Sequence, residues 1–221
     1  MSRNLLLSIF AVVLLCSCGI DYDGTTKLIF EGRITTPDGT ALPGIRVSTT
    51  VANNYDSDEI SYDTTDDNGY YRMIFPRAKG IIDTKVTINS PYYITSGNNT
   101  YSSTAFTNIG LNQVNDYKID LSTTRLYQKF DSVGLTINLN NTSGNPILKV
   151  NTIGLVDDSS IDYNFEKPYT EDSDEYEYSI KTQFAVAKNQ IVTIKYLLVN
   201  GTVNEVQVPI GEESVIYTLN Y

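Results

Sequence analysis

The chain of 221 residues has no histidine and no tryptophan, and only two cysteines and two methionines. Without histidine it lacks the side chain that most often works as a general acid or base near neutral pH, and zinc loses one of its customary ligands. The two cysteines, Cys16 and Cys18, are one residue apart with no second Cys/His pair anywhere, which argues against a structural metal site or a dithiol redox centre. Basic residues are also scarce: 16 Lys and Arg stand against 26 Asp and Glu, for a formal charge of −10. They form no cluster, so the surface repels phosphate backbones and nucleic acid is excluded as a partner. The same sign disfavours peripheral attachment to anionic lipid. No cofactor is expected.

What is present begins with an address. Residues Leu5 to Leu15 are almost wholly apolar behind a single cation at Arg3, the layout of a secretory signal. The run is short of the roughly 20 residues that a permanent spanning helix needs, although a retained N-terminal anchor with two inert thiols is the alternative. Leu15-Cys16-Ser17-Cys18 resembles the lipobox of bacterial lipoproteins. That resemblance implies cleavage after residue 17, a lipid on Cys18 as the contact with the membrane, and loss of Cys16 with the signal. Gly19 stands where an aspartate would favour inner-membrane retention, so sorting to the outer membrane is expected. Asp21 and Asp23 resemble a thin version of the surface-export tag of Bacteroidota-type lipoproteins, or else belong to a plain solvated tether over 18–26.

Removing 17 residues leaves 204, enough for two small domains of about 100 residues. Period-two alternation recurs and Tyr, Thr, Val and Ile are plentiful, so the fold is expected to be all-β. Leu28, Phe30, Gly32 and Ile34 fall on one face of a first strand, which Thr36-Pro37-Asp38-Gly39 closes. Ile45 and Val47 mark a second strand. Tyr71, Met73 and Phe75 mark a third, expected to stop at Pro76. Lys85 to Asn89 and Tyr117 to Leu121 complete this set, and 122–129 reads as a linker. Beyond it Val133 to Leu139, Ile147 to Ile153, Tyr176 to Phe184, Val192 to Leu198, Val206 to Val208 and Val215 to Tyr221 alternate in turn. The Asn200-Gly201 pair predicts a type I′ hairpin, with both residues at positive φ.

Three motifs in the first half carry a resemblance. Phe30-Glu31-Gly32-Arg33-Ile34, then Asp38-Gly39 with Leu42-Pro43-Gly44-Ile45-Arg46-Val47, then Thr65-Asp66-Asp67-Asn68-Gly69-Tyr70-Tyr71 follow in order the pattern of the carboxypeptidase regulatory-like domain. The resemblance covers about residues 27 to 121. It implies a transthyretin-like sandwich, a non-catalytic module. Residues 130 to 221 resemble no family and are expected to form a second sandwich. The organisation expected is therefore a signal over 1–17, a tether over 18–26, two antiparallel Ig/transthyretin-like sandwiches over 27–121 and 130–221, and the linker between them.

Candidate sites are few. Asp56-Ser57-Asp58-Glu59 with Asp63, Asp66 and Asp67 invites a calcium ion, but the EF-hand pattern puts Thr64 and Phe75 where oxygen ligands belong, so solvated loop carboxylates are expected and no metal site. Asp157-Asp158 and Glu171 to Glu175 form a second acidic group, and abundant carboxylates alone do not make a glycosidase. Among 17 tyrosines, Tyr70-Tyr71, Tyr92-Tyr93 and Tyr176/Tyr178 suggest aromatic platforms. Most alternate as packing residues do, which leaves Tyr92 and Tyr93 as the ligand-binding candidates. Asp63-Thr64-Thr65 and Asp131-Ser132-Val133 resemble a short O-glycosylation sequon, which marks Thr64 and Ser132.

The expectation is a lipid-anchored envelope protein, binding or scaffolding without catalysis, with a protein or glycan partner. Its rivals are an accessory subunit of a glycan or nutrient capture complex beside an outer-membrane barrel, and a hydrolase using carboxylates. Mass spectrometry of the mature protein is expected to find an acylated Cys18 as its first residue; an unmodified Cys16 or Cys18 there refutes the lipobox reading.

Overall fold

The computed structural model describes residues 19–53, 55–80, 83–90, 99–166 and 180–221. The calls on Cys16, Cys18, Tyr92, Tyr93, Tyr176, Tyr178 and residues 171–175 lie outside them. The first half of the chain builds β1 (Tyr22–Thr35), β2 (Arg46–Ala52), β3 (Ser57–Thr64), β4 (Tyr70–Ala78), β5 (Asp83–Ile88), β6 (Thr104–Thr107) and β7 (Lys118–Arg125). The second builds β8 (Ser132–Asn140), β9 (Ile147–Ile153), β10 (Ser159–Asp162), β11 (Gln183–Ala187), β12 (Gln190–Leu198), β13 (Val203–Ile210) and β14 (Val215–Asn220). The protein is all-β, as its period-two patterning predicts.

Each half is a sandwich around its own core. In the first, a sheet ordered β4-β1-β7 faces one ordered β10-β6-β5-β2-β3; in the second, β11-β8-β14 faces β13-β12-β9. Leu28, Phe30 and Ile34 from β1 meet Tyr71, Met73 and Phe75 from β4 inside the first core, with Phe30 and Phe75 edge-to-face at 4.7 Å. The second core gathers Leu135, Ile137, Val186, Val192, Ile194 and Val208. In each half the first strand runs parallel to the last, β1 beside β7 and β8 beside β14, among pairings that are otherwise mostly antiparallel.

The turn motif of the first half is a structural lock. Thr65 is buried; its hydroxyl donates to the Leu42 carbonyl at 2.6 Å and accepts from the Ile45 amide at 2.9 Å. Asp66 accepts from the amides of Asn68 and Tyr70, which closes the hairpin into β4. Gly69 holds φ at 79°, and a Cβ there would stand 2.3 Å from the Ile34 carbonyl oxygen, so only glycine fits.

Five expectations change. Pro76 does not end the third strand: it lies within β4, an edge strand, where a missing amide costs no ladder bond. The acidic stretch from Ser57 to Glu59 is not a loop but part of β3, the edge of the larger sheet, paired along β2. The presumed tether is tied down, because β1 starts at Tyr22, Ile20 is buried, and the Asp21 carbonyl accepts from the Lys79 amide at 2.8 Å. There the β1–β4 register jumps between Asp23 and Lys27, and Asp23 caps the resulting bulge by accepting from Thr25 and Thr26. The stretch 122–129 continues β7 through Arg125 and buries Leu126 and Tyr127. Finally, of Asn200 and Gly201 only Gly201 takes a positive φ, 82°. Its amide bonds to the Leu198 carbonyl and the Leu198 amide to that of Thr202, a type I turn followed by a glycine bulge.

The two halves are joined by backbone. β10 of the second half pairs in parallel with β6 of the first, Ser159 opposite Thr104 through Asp162 opposite Thr107. Asp157 anchors the join: one carboxylate oxygen accepts from the Ser103 amide at 2.7 Å and from its hydroxyl, and the other meets Lys129 at 3.1 Å. The Tyr127 hydroxyl donates across the seam to the Ala185 carbonyl at 3.0 Å. Ser103 is almost wholly buried, so Asp157→Ala strands its amide and is expected to cost about 2–3 kcal/mol. Chemical denaturation checks this; an unchanged midpoint would show that the join does not depend on the carboxylate.

Candidate functional site

Several open cavities lie among the described residues. One, of about 620 Å³, lies over the sheet β4-β1-β7 and is lined by residues of β1, β4 and β7 and the end of β3. Its walls follow from strand alternation: residues that flank the inward set of β1 and β4 point out. Glu31 and Arg33 from β1 stand opposite Arg72 and Tyr70 from β4, and Asp120 lies across from Glu31 on β7. Asp63 and Asp66 close the far end.

The charges in this cleft are engaged. Glu31 lies between Arg72, at 3.7 Å, and Lys118. Asp63 accepts from the amides of Thr64 at 2.8 Å and Arg72 at 2.7 Å, Asp66 from those of Asn68 and Tyr70, and Asp120 from that of Ser122 at 2.7 Å. Arg33 donates its Nε to the Asn68 carbonyl at 3.0 Å and lies 5.4 Å from the centre of the Tyr70 ring. That ring is 55% exposed.

On the core side of the same sheet two strands cross closely. Tyr71, opposite Gly32 in the β1–β4 register, is buried with 3% of its surface exposed. Its hydroxyl has no hydrogen-bond partner. A Cβ on residue 32 would stand 2.7 Å from that hydroxyl and 3.0 Å from the Ser122 carbonyl oxygen. Glycine at 32 is therefore required by the approach of the tyrosine. Where β1 meets β7 the register slips between Glu31 and Arg33, and Ser122 takes a φ of 56°. The slip is a bulge on the β7 side, where Asp120 to Thr123 face Glu31 to Arg33.

Another cavity, of about 470 Å³, runs along the seam between the halves, between Phe106 and Thr124 on one side and Ile153, Leu155 and Gln190 on the other. Gln190 is fully used, bonding Leu155 through both its amide nitrogen and oxygen. Among the described residues no group of three or more His, Cys, Asp or Glu is placed to hold a metal ion.

Of the sequence candidates, Tyr70 is exposed on the wall of this cleft, whereas Tyr71 turns to the other face of β4 and packs in the core. Thr64 lies exposed at the end of β3 and also lines the cleft, whereas Ser132 is half-buried and donates its hydroxyl to the Lys129 carbonyl at 2.6 Å. Asp157, read as one of an acidic group, is the anchor between the halves. The sequence reading did not single out Glu31, Arg33, Arg72 or Asp120 as a group. Their signal is alternation opposite the core positions, but only strand register brings them to one patch.

Burial of phenols gives a pH dependence. Tyr71 and Tyr127 are pushed up by burial, helped by the charges of Asp120 and Asp157 respectively. Tyr22 is pushed up to about 12, first by desolvation and then by its hydrogen bond to Asp58. A phenol raised in the folded state supports folding fully below its unfolded value of about 10, and that support is lost as pH rises through the folded value. The unfolding midpoint is expected to fall between about pH 10 and pH 12, and less steeply in Tyr22→Phe; a flat profile in thermal melts across that range contradicts the assignment.

No family model matches the sequence, and no curated protein is significantly similar to it. Among solved structures, the Bacillus anthracis TIE protein is similar at 13% identity over 88% of this chain and 34% of that one, with a TM-score of 0.31. The chain thus spans about a third of the length of that protein. A mutant of the shaft pilin SpaA from Lactobacillus rhamnosus GG is similar at 10% identity over 87% of this chain and 98% of that one, with a TM-score of 0.34. The tip fimbrial protein Mfa3 from Porphyromonas gingivalis, C-terminally truncated, is similar at 10% identity over 82% and 81%, with a TM-score of 0.30. At these scores the similarity assigns this chain no activity and no partner.

Proposed function

We propose that the chain is a lipid-anchored envelope protein that binds a partner without chemical turnover, held at the outer membrane through Cys18 and facing the cell surface. The observation that carries the non-catalytic part is the state of the carboxylates in the cleft. Glu31 is held between two cations, and Asp63, Asp66 and Asp120 each accept from backbone amides. A carboxylate hydrolase needs one group free to give a proton and another free to attack or to activate water. Here three hold backbone amides and the fourth is held in cross-strand ion pairs. What remains open to a partner is a broad polar surface on a sheet whose backbone is fixed by the core beneath it, a scaffold suited to recognition.

The placement rests on the lipobox at Leu15 to Cys18 and on Gly19 after it. Protease treatment of intact cells, with lysed cells as control, tests it. Loss of the protein from intact cells is the expected result; protection until lysis would place it in the periplasm.

A further inference from the structure

We propose that the outer edge of β14 is an interface between two copies of this chain, in which β14 pairs antiparallel with β14 of the second copy about a two-fold axis at Tyr217. The pairing is separate from whatever the cleft recognises.

The first observation is how the sheets end. Among the described residues four sheets, each with two edges, leave eight edge strands, and an open edge offers unpaired N–H and C=O groups to any other chain. Seven of the eight discourage pairing. β4 carries Arg72 and Pro76, β7 carries Asp120 and Arg125 beside its register slip, and β3 carries Asp58 and Asp63. β9 carries Lys149, β10 is only four residues long and ends in Asp162, and β13 carries Glu205 and Pro209. β11 has no charge, but its outer side is covered: the Ala187 amide donates to the Leu155 carbonyl and the Asp157 amide to the Ala185 carbonyl, both at 2.9 Å.

β14 has none of these protections. Val215-Ile216-Tyr217-Thr218-Leu219-Asn220 holds no charge and no proline, and its ladder with β8 has no bulge. Among the described residues nothing pairs with its other side. Its β-branched and aromatic residues suit a strand. Ile216 points away from the core and is 73% exposed, the most exposed isoleucine among the described residues.

The occupant follows from charge and symmetry. Two chains of formal charge −10 repel over most of their surface, so they meet at least cost where neither brings a charge. The sheet of β11, β8 and β14 contains no charged residue in any of its strands. β14 also complements itself. Its inward residues Val215, Tyr217 and Leu219 belong to the second core or pack against it. With Tyr217 opposite Tyr217, Val215 meets Leu219 and Ile216 meets Thr218, so apolar residues stay on the core side of both copies and Ile216 gains a β-branched neighbour. A strand from another protein would have to match this neutral alternation, whereas a second β14 matches it by symmetry. Two sheets of three strands become one of six, and the two-fold axis closes the edge, so assembly stops at two.

A six-residue ladder falls at the small end of specific interfaces, below about 1,200 Å² in total, so dissociation at roughly tens to hundreds of micromolar is expected. Sedimentation velocity of the mature chain, from micromolar to millimolar concentration with detergent in large excess, should show monomer passing to dimer. Hydrogen exchange on the same samples should slow at the amides of 215–220 as the dimer forms. Ile216→Lys combined with Thr218→Lys sets ammonium groups opposite one another across the pairing and should weaken the dimer about tenfold or more. Both side chains are exposed, so the melting temperature should hold; if the double variant does not fold, Ile216→Lys alone is measured in its place. Ile191→Lys changes another exposed isoleucine, on the central strand β12, and should leave the dimer as it is. Every variant keeps the same N-terminus, so shared micelles affect all alike. A chain that stays monomeric at millimolar concentration, oligomers that grow beyond two, a dimer whose 215–220 amides exchange freely, a dimer indifferent to charge on β14, or an equal loss with Ile191→Lys each overturns the proposal.

Discussion

The structure depends on a parallel strand pair four residues long. β6 is short and its free side would be an open sheet edge; β10, from the other half of the chain, covers it. The pairing would be weak alone. Asp157 reinforces it from just before β10, holding Ser103 just before β6 and Lys129 at the start of the second half. Asn108 and Asp162 repeat the link at the other end, at 2.7 Å. Because backbone ladders and side-chain bonds run together, the halves behave as neighbours with a fixed seam, and the surface they offer outside is fixed with them.

A similar economy shapes the first sandwich. The Thr65 to Tyr71 turn does two jobs. Its first residues fasten the Leu42 to Ile45 loop, and its glycine lets the hairpin pass under the Ile34 carbonyl. Those contacts set the register of β4 on β1, and the register then sets everything in the cleft: which side chains face outward, and where Tyr71 crosses Gly32. A motif that serves folding thereby decides the geometry of the cleft. The slip of β7 beside it is a local irregularity of the kind sheets keep where a side chain or ligand needs room.

Much of the fold was legible beforehand. Inward positions such as Leu28, Phe30, Leu135 and Ile137 alternate so regularly that a one-residue error would turn them to solvent. The misreadings share a cause. Pro76 and the acidic run of β3 look like interruptions because local composition disfavours strand, yet both lie on edges, where one side of the backbone has no partner to lose. The span read as a tether is held by Ile20 and by a bulge capped from Asp23, long-range and local bonds that composition does not reveal. The Asn200-Gly201 pair marked its hairpin correctly, but which turn formed was decided by the loop length between Leu197 and Val203.

By itself the sequence determined the all-β class, the two cores, the acidic surface and the absence of histidine chemistry, because composition and period-two alternation act residue by residue. Tertiary structure alone decided the pairing of β10 with β6, the role of Asp157 as an anchor, and the meeting of Glu31, Arg33, Tyr70, Tyr71, Arg72 and Asp120 in one cleft. Those residues lie on strands far apart in the chain. Their proximity is a property of register and of parallel closure, and register is set by the sum of many core contacts that no single stretch of sequence contains.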